Sequence, residues 1–247
     1  MYATNKDLRM KKLLILLSIT LMANLNLHAQ PEPETFYFSA KIGATYSNFT
    51  KDVPLTFYYD GSQGGSAFSV NFSDAHSTVG FAIGVDFQYQ INKCLGVTVG
   101  LNGLEQSYNY KTYDFAFNMG DKGIARFGDD VNLSLNYLAI PVLANIYVCK
   151  GLSLNAGIQP EFAIGRNWYS KVSLRNGNNK ERIEGQIKDF NSFQFSFPLG
   201  VSYEIGWFFA DFRYNIGVTD ILKRKSKQYP NIRSNVMVFT LGYKCQL

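Results

Sequence analysis

Apolar and polar residues alternate with a period of two along most of this 247-residue chain. Between residues 152 and 165, for example, even-numbered positions are mostly apolar and odd-numbered positions are small or polar. Successive side chains of a β-strand point to opposite faces of the sheet, so this pattern predicts strands with one apolar face. The segments with this pattern are residues 36–46, 79–91, 95–110, 134–148, 152–165, 191–205, 207–217 and 235–244.

The two faces of these segments favour a membrane-spanning barrel over a soluble sheet. The apolar faces carry large and aromatic residues, whereas the opposite faces carry small or polar residues and scattered charges. This arrangement is typical of a barrel that is apolar outside and polar inside; a soluble β-sandwich is the alternative. Because isolated charges are costly to bury, we expect Lys41 and Arg213 to pair with the four carboxylates. The charges predicted inside the barrel are Lys41, Asp86, Glu161, Glu204, Asp211 and Arg213.

Long and short connections alternate between the segments. The long ones are residues 47–78, 111–133, 166–190 and 218–233, and the short ones are 91–94, 148–151 and 205–206. Outer-membrane barrels have this asymmetry, with short periplasmic turns and long extracellular loops. The sequence therefore predicts an all-β fold, an eight-stranded antiparallel up-and-down transmembrane β-barrel. Its first strand should close on its last, because unpaired backbone groups are costly in lipid.

Two positions interrupt the alternation. Pro141 lies in the middle of residues 134–148, and because proline removes a backbone donor, a bulge or an edge is expected there. The pattern also blurs near Gly103, where a second bulge is expected. Aromatic side chains favour the membrane–water interfaces. They are predicted to mark an outer rim (Tyr46, Phe81, Tyr110, Trp168) and an inner rim (Phe36, Tyr89, Tyr147, Trp207, Tyr243).

The N-terminal residues have the parts of an export signal. From Met10 the chain has two lysines, an apolar run over 13–22, and a polar stretch that ends in Ala29. A positive segment, an apolar segment too short to span a bilayer and a small final residue are typical of a cleaved signal peptide. We therefore predict a signal peptide over 1–29, with Met10 as an alternative start, and one outer-membrane barrel domain over 30–247. An N-terminal membrane anchor is the alternative.

Composition argues against several other classes of protein. The chain has 24 Lys and Arg and 19 Asp and Glu, a formal charge of +5. The first 29 residues hold four basic residues and one acidic residue, so the remainder carries only +2, too little to indicate nucleic-acid binding. Cys94, Cys149 and Cys245 are odd in number and widely spaced, which predicts neither a disulfide framework nor a metal site. A bridge between Cys94 and Cys149 stays open, and no cofactor is expected.

Two short motifs resemble a known family. The segment Tyr137-Leu138-Ala139-Ile140-Pro141-Val142 resembles the Tyr-Leu-x-Ile-Pro-Leu stretch of the PorT-like outer-membrane β-barrel family of Bacteroidota. The segment Phe239-Thr240-Leu241-Gly242-Tyr243-Lys244 resembles the terminal strand of that family, although the chain ends in Leu247 and not in an aromatic residue. The resemblance implies insertion by the barrel-assembly machinery and, for the PorT branch, a role in type IX secretion and gliding.

Basic residues are concentrated in two of the predicted extracellular loops. At the outer rim they would lie beside lipopolysaccharide, whose phosphates they can bind by charge-assisted hydrogen bonds. An ordinary solvated surface is the alternative, since Glu181, Glu184 and Asp189 lie in the same region. The residues predicted to face lipopolysaccharide are Arg166, Lys171, Arg175, Lys223, Arg224, Lys225 and Lys227.

The sequence contains no recognisable catalytic arrangement, so an enzyme is not predicted. Once the signal is removed His76 is the only histidine, and its neighbours Ser73 and Asp74 do not by themselves form a triad. The interior of an eight-stranded barrel is filled by its own side chains. We therefore expect a non-enzymatic structural or surface-binding role through the extracellular loops. A component or accessory of a type IX secretion or gliding complex and a small porin are the alternatives.

Overall fold

The computed structural model describes ten stretches of the chain: residues 31–51, 55–59, 68–72, 75–111, 115–118, 124–127, 130–174, 180–187, 190–223 and 231–247. The predicted signal peptide, residues 1–29, lies outside them. The regular elements in these stretches are β-strands. No helix among the described residues is long and apolar enough to cross a membrane.

The strands are numbered in chain order. They are β1 (Thr35–Phe49), β2 (Leu55–Tyr59), β3 (Phe68–Phe72), β4 (Ala75–Gln90), β5 (Leu95–Tyr110), β6 (Phe115–Asn118), β7 (Ile124–Phe127), β8 (Val131–Ala139), β9 (Val142–Cys149), β10 (Leu152–Leu174), β11 (Lys180–Gln186), β12 (Phe193–Ile205), β13 (Phe208–Gly217) and β14 (Ser234–Gln246).

Antiparallel pairing joins the strands into a closed ring. The order is β1, β4, β5, then β8 with β9, then β10, β12, β13 and β14, and β14 pairs again with β1. The first and last strands meet along most of their length, with Ile42 opposite Leu241. Because β8 and β9 follow one another along the same neighbours, they act as one wall strand, and the ring has eight. The structure confirms the predicted eight-stranded antiparallel barrel.

Pro141 interrupts the wall strand without shifting its register. On β5, Asn102 lies opposite Ala139 and Val99 opposite Val142, so the same register continues on both sides of the proline. The bulge or edge predicted at Pro141 is therefore wrong, since the strand also pairs with β10 on its other side. The strand loses one backbone donor there but gains no residue.

Register shifts occur at three other places, one of them between Leu152 and Ser153, where β10 pairs with β9. β10 has one extra residue between Ala163 and Gly165 where it pairs with β8. β4 has one between Thr78 and Ala82 where it pairs with β5. The shift on β4 ends one pair away from Gly103, close to the position at which the sequence predicted a bulge.

Side-chain burial follows the strand period and gives the barrel an apolar exterior. On β4, Ile83 and Phe87 are 56% and 54% exposed, whereas Asp86 and Gln88 are buried. Exposed apolar residues at alternate positions of the wall strands form what we call the lipid-facing belt. It includes Ile42, Phe81, Ile83, Phe87, Val99, Leu101, Val142, Ile146, Leu154, Ile158, Phe162, Phe193, Phe197, Leu199, Phe212, Phe239 and Leu241.

The wall of the barrel is higher on one side than on the other. Hairpins occur in three of the long connections, where β2 pairs with β3, β6 with β7, and β11 with the outer part of β10. β10 extends to Leu174 and β5 to Tyr110, whereas β12 begins only at Phe193 and β13 ends at Gly217. The barrel is therefore tall around β5, β8 and β10 and low around β12 and β13.

Candidate functional site

A network of opposite charges occupies the middle of the barrel. Lys41 on β1 forms an ion pair with Asp86 on β4. Arg213 on β13 lies 3.6 Å from the same Asp86 oxygen and places its Nε 2.7 Å from Oδ2 of Asp211. All four side chains are buried, so each charge is held by an opposite charge in place of water.

Polar neighbours and inward-facing glycines complete this network. The Oδ1 atom of Asp211 accepts hydrogen bonds from Ser202 at 2.5 Å and from Asn155 at 3.0 Å. A Cβ atom at Gly100 would overlap the Asp86 carboxylate, and one at Gly84 would overlap the Asn102 amide. The small residues on the polar faces therefore provide room for the larger polar side chains opposite them.

A second polar layer lies nearer the periplasmic end. The Lys244 ammonium is 2.8 Å from Oε1 of Glu204, and the Tyr147 hydroxyl donates to that same oxygen at 2.7 Å. Lys244 also donates to Gln88 at 3.1 Å. The predicted pairing of Glu204 with Lys41 or Arg213 is wrong, because Lys244, two strands away in the sheet, holds its carboxylate.

Glu161 occupies the extracellular half of the interior and has neutral partners. Its carboxylate accepts from Ser196 at 2.7 Å, from Gln159 at 2.8 Å and from Gln106 at 3.3 Å. Its predicted pairing with Lys41 or Arg213 is also wrong. Burial without a cation is tolerated here because amide and hydroxyl donors satisfy the oxygens.

Above Glu161 the interior becomes apolar, a change that was not predicted from the strand pattern. Inward-facing residues of the tall wall pack with residues from the connections that follow β11 and β13. We call this group the extracellular seal. It consists of Phe49, Tyr108, Tyr110, Val131, Leu133, Leu135, Tyr137, Ile187, Phe190, Ile221 and Ile232, with Trp168 and Leu222 packed against it.

On the same strands, the outward-facing residues change from apolar to polar at this height. Glu105 and Asn109 on β5 and Ser134 on β8 point outward at positions that lower down carry the lipid-facing belt. The Ser134 hydroxyl donates to Glu105 at 2.7 Å on this outer surface. The exchange of faces marks the height at which the wall leaves the lipid, because above it the outside meets water and polar headgroups.

Segments from the low wall cover the mouth of the barrel. Phe190, fully buried, forms an isolated bridge with Leu222. The Asn191 side chain donates to the carbonyl oxygens of Asp220 at 2.8 Å and Leu222 at 3.1 Å. The Arg166 guanidinium donates to the Phe190 carbonyl at 2.5 Å. These bonds fix the covering segments to the seal.

Two small cavities lie inside the barrel. One in the middle has a volume of about 10 Å³ and another, toward the periplasm, about 40 Å³. The first has room for about one water molecule. Neither cavity has room for more than a few water molecules.

The aromatic rims are partly as predicted. Tyr46 and Phe81 are exposed at the outer end of the belt, and Trp207 stacks on Tyr243 at 6.0 Å at the inner end. Three other predicted rim residues, however, face the interior. They are Tyr110 and Trp168 in the extracellular seal and Tyr147 in the periplasmic polar layer.

The predicted basic residues divide into three groups. Arg166 lies in β10, half-buried, so it does not belong to a free loop. Lys171 and Lys223 are exposed at the extracellular end. Arg175, Arg224, Lys225 and Lys227 lie outside the described residues. Arg182, exposed on β11, stacks over Tyr169 at 4.4 Å and pairs with Glu184 at 3.1 Å.

The residue types that most often catalyse reactions or bind metals are scattered in the described parts of the chain. His76 is exposed on β4 opposite Asn109. Cys94 and Cys149 are exposed free thiols, and Cys245 is a half-buried one. No cluster of three or more His, Cys, Asp or Glu side chains suited to a metal ion occurs among the described residues.

Comparison with known proteins agrees with this architecture. The profile of the outer membrane protein beta-barrel domain family matches residues 28–223. No curated protein matches the chain at a significant level.

Several solved outer-membrane proteins match this chain at low sequence identity and low TM-scores. Ail, the attachment invasion locus protein of Yersinia pestis, is 12% identical, with 85% of this chain and 99% of Ail covered and a TM-score of 0.41. Neisserial surface protein A is 16% identical (84% and 96% covered, TM-score 0.38). OprG from Pseudomonas aeruginosa is 13% identical (87% and 98% covered, TM-score 0.38). By its match over most of its length, the chain belongs to the outer membrane protein beta-barrel domain family and is a protein of the outer membrane.

Proposed function

We propose that this protein is a non-enzymatic barrel that binds the surrounding lipopolysaccharide through its extracellular rim. The observation that carries the proposal is the closed interior. Paired charges fill the middle of the barrel and the extracellular seal covers its mouth. Since the two cavities inside the barrel are too small for a solute, the outer surfaces are the better candidates for binding.

The rim has the charges that such binding requires. Lys171, Lys223 and Arg233 are exposed at the extracellular end, and none of their side chains has an ion-pair partner among the described residues. Lipopolysaccharide presents phosphates at this height, just above the acyl chains that meet the lipid-facing belt. Lysine and arginine bind phosphate oxygens by charge-assisted hydrogen bonds, which are stronger than neutral ones.

Two measurements on the refolded barrel test this proposal. In planar lipid bilayers, the barrel should give no conductance above the background of the lipid, whereas a general porin in the same bilayers should conduct. In detergent, it should bind purified lipopolysaccharide more tightly than a zwitterionic phospholipid. Stable single-channel steps would favour the porin alternative, and equal affinity for the two lipids would contradict the binding proposal.

The secretion or gliding alternative has the segment Tyr137–Val142 in its favour. In the barrel these residues have packing roles. The Tyr137 hydroxyl accepts a hydrogen bond from Gln194 at 2.5 Å within the interior, and Pro141 lies at the gap between β8 and β9. The motif thus has a packing role that does not require a partner protein. Stable co-purification of a secretion-complex protein from native membranes would favour the alternative.

A further inference from the structure

An open groove lies on the outer surface where the wall of the barrel is lowest. It has a volume of about 770 Å³ and is formed by the residues just before β12, just after β13 and just before β14. Its lining includes Phe193 and Val218 at one end and Lys223, Asn231 and Arg233 at the other. Sites that bind headgroup-sized molecules have volumes of this order.

The lower end of the groove belongs to the lipid-facing belt. Phe193 is 46% exposed and Val218 is 36% exposed. The Phe193 ring packs against that of Phe162, another belt residue, with centroids 5.3 Å apart. A molecule in the groove would therefore have its apolar part among the acyl chains of the outer leaflet.

The upper end of the groove is cationic. The exposed side chains of Lys223 and Arg233 have no ion-pair or hydrogen-bond partner in the described parts of the chain. Asp220 is the carboxylate that lines the same groove, so the described lining carries a formal charge of +1. That charge suits one phosphate group better than a long polyanion.

The backbone around the groove is held in place before any ligand binds. Asn191 bonds to two carbonyl oxygens of the segment after β13, as described above. Thr219 accepts from the Phe195 amide at 2.9 Å, and Thr50 accepts from the Arg233 amide at 3.0 Å. Little ordering of the chain is then needed on binding, which favours affinity.

We infer that this groove is the site that takes the phosphorylated headgroup of an outer-leaflet glycolipid, with the phosphate held between Lys223 and Arg233. The inference rests on the proposed function and assigns it to one place on the rim. The sugar part would lie against Asn231, and the acyl chains would descend over Phe193 and Val218.

Two double variants with the same change in charge test the location. Lys223→Gln with Arg233→Gln neutralises the groove, whereas Lys111→Gln with Arg182→Gln neutralises two exposed cations on the tall wall. Each refolded barrel is first checked for its heat-dependent gel shift. Affinity is then measured for lipopolysaccharide and for chemically dephosphorylated lipopolysaccharide.

The groove variant should bind lipopolysaccharide about tenfold to a hundredfold more weakly, since it loses two charge-assisted contacts, while the tall-wall variant stays close to the wild type. Both should bind the dephosphorylated lipid like the wild type. Equal losses in the two variants would overturn the groove assignment and leave the proposed function standing. No binding by the wild type would overturn both. Displacement of lipopolysaccharide by millimolar inorganic phosphate would overturn the glycolipid as the ligand.

Discussion

Arg213 and Asp211 lie two positions apart on β13 and meet inside the barrel, with Nε and Oδ2 separated by 2.7 Å. Both side chains are buried, and Arg213 also approaches Asp86 at 3.6 Å. One guanidinium therefore serves two carboxylates from two strands. Removing it should leave negative charges without enough compensation.

We expect Arg213→Met to lower the free energy of unfolding by about 3–5 kcal/mol, because it breaks a buried ion-pair network. Arg213→Lys keeps the charge but loses the planar fork, so its cost should be smaller. Urea unfolding followed by tryptophan fluorescence, with the barrel in lipid vesicles, measures both. A stability of Arg213→Met equal to that of the wild type would show that the network contributes nothing.

The assigned faces predict an asymmetry between two adjacent positions on β10. Ile158 is 44% exposed in the lipid-facing belt, and Gln159 is buried beside Glu161. Arg at the lipid-facing position should cost roughly 2–4 kcal/mol. Arg in place of Gln159 lies next to a carboxylate without a cation and should cost less. The folded fraction after insertion into vesicles compares them, and equal fractions would contradict the assigned faces.

Glycines at two positions on β5 should differ in their tolerance of a methyl group. At Gly100 a Cβ would overlap Asp86, which Lys41 and Arg213 hold in place. At Gly103 the nearest heavy atom, on Ile83, would be 3.3 Å away and faces lipid. We expect Gly100→Ala to cost about 1–3 kcal/mol through overpacking and Gly103→Ala to be close to neutral. The same unfolding measurement distinguishes them, and a reversed order would refute this packing.

The extracellular seal should depend on its most buried aromatic residue. Phe190 is fully buried, so Phe190→Ala should cost about 3–5 kcal/mol, while Phe190→Leu, which keeps most of the volume, should cost less than about 1.5 kcal/mol. Protease cleavage of the segments over the mouth should accelerate in Phe190→Ala. Unchanged cleavage in that variant would mean that the seal does not hold these segments.

The ring of strands and its faces were predictable because a period of two is visible wherever one face meets lipid. The same rule places Tyr147 correctly, since odd-numbered residues of its segment face inward. Its assignment to a rim followed the residue type, whereas the side chain follows the strand period. For this residue, the strand period predicted the position of the side chain and the residue type did not.

The extracellular seal could not be predicted by assuming that the apolar face of each strand points outward along its whole length. Above the belt the faces exchange, and Leu133, Leu135 and Tyr137 point inward as in a soluble barrel. The signal is present, because Asn132, Ser134 and Asn136 alternate with them. It identifies the level of the membrane surface only when the belt on neighbouring strands is already known.

The partners of Glu204 and Glu161 were not predictable for a different reason. Glu204 and Lys244 lie on β12 and β14, with β13 between them. Which inward side chains meet depends on the register of every strand and on the direction in which each side chain crosses the lumen. Alternation gives the face of a residue but not its neighbours.

The closure of β1 on β14 has a consequence for how the molecule is made. The residue opposite Ile42 is Leu241, so the seam joins one of the first segments exported to one of the last. Until β14 arrives, two sheet edges have no partners, and neither can enter lipid without unpaired backbone groups. The chain must therefore be kept from collapsing in the periplasm until it is almost completely delivered. Closure of the barrel therefore depends on two strands that lie far apart in the sequence.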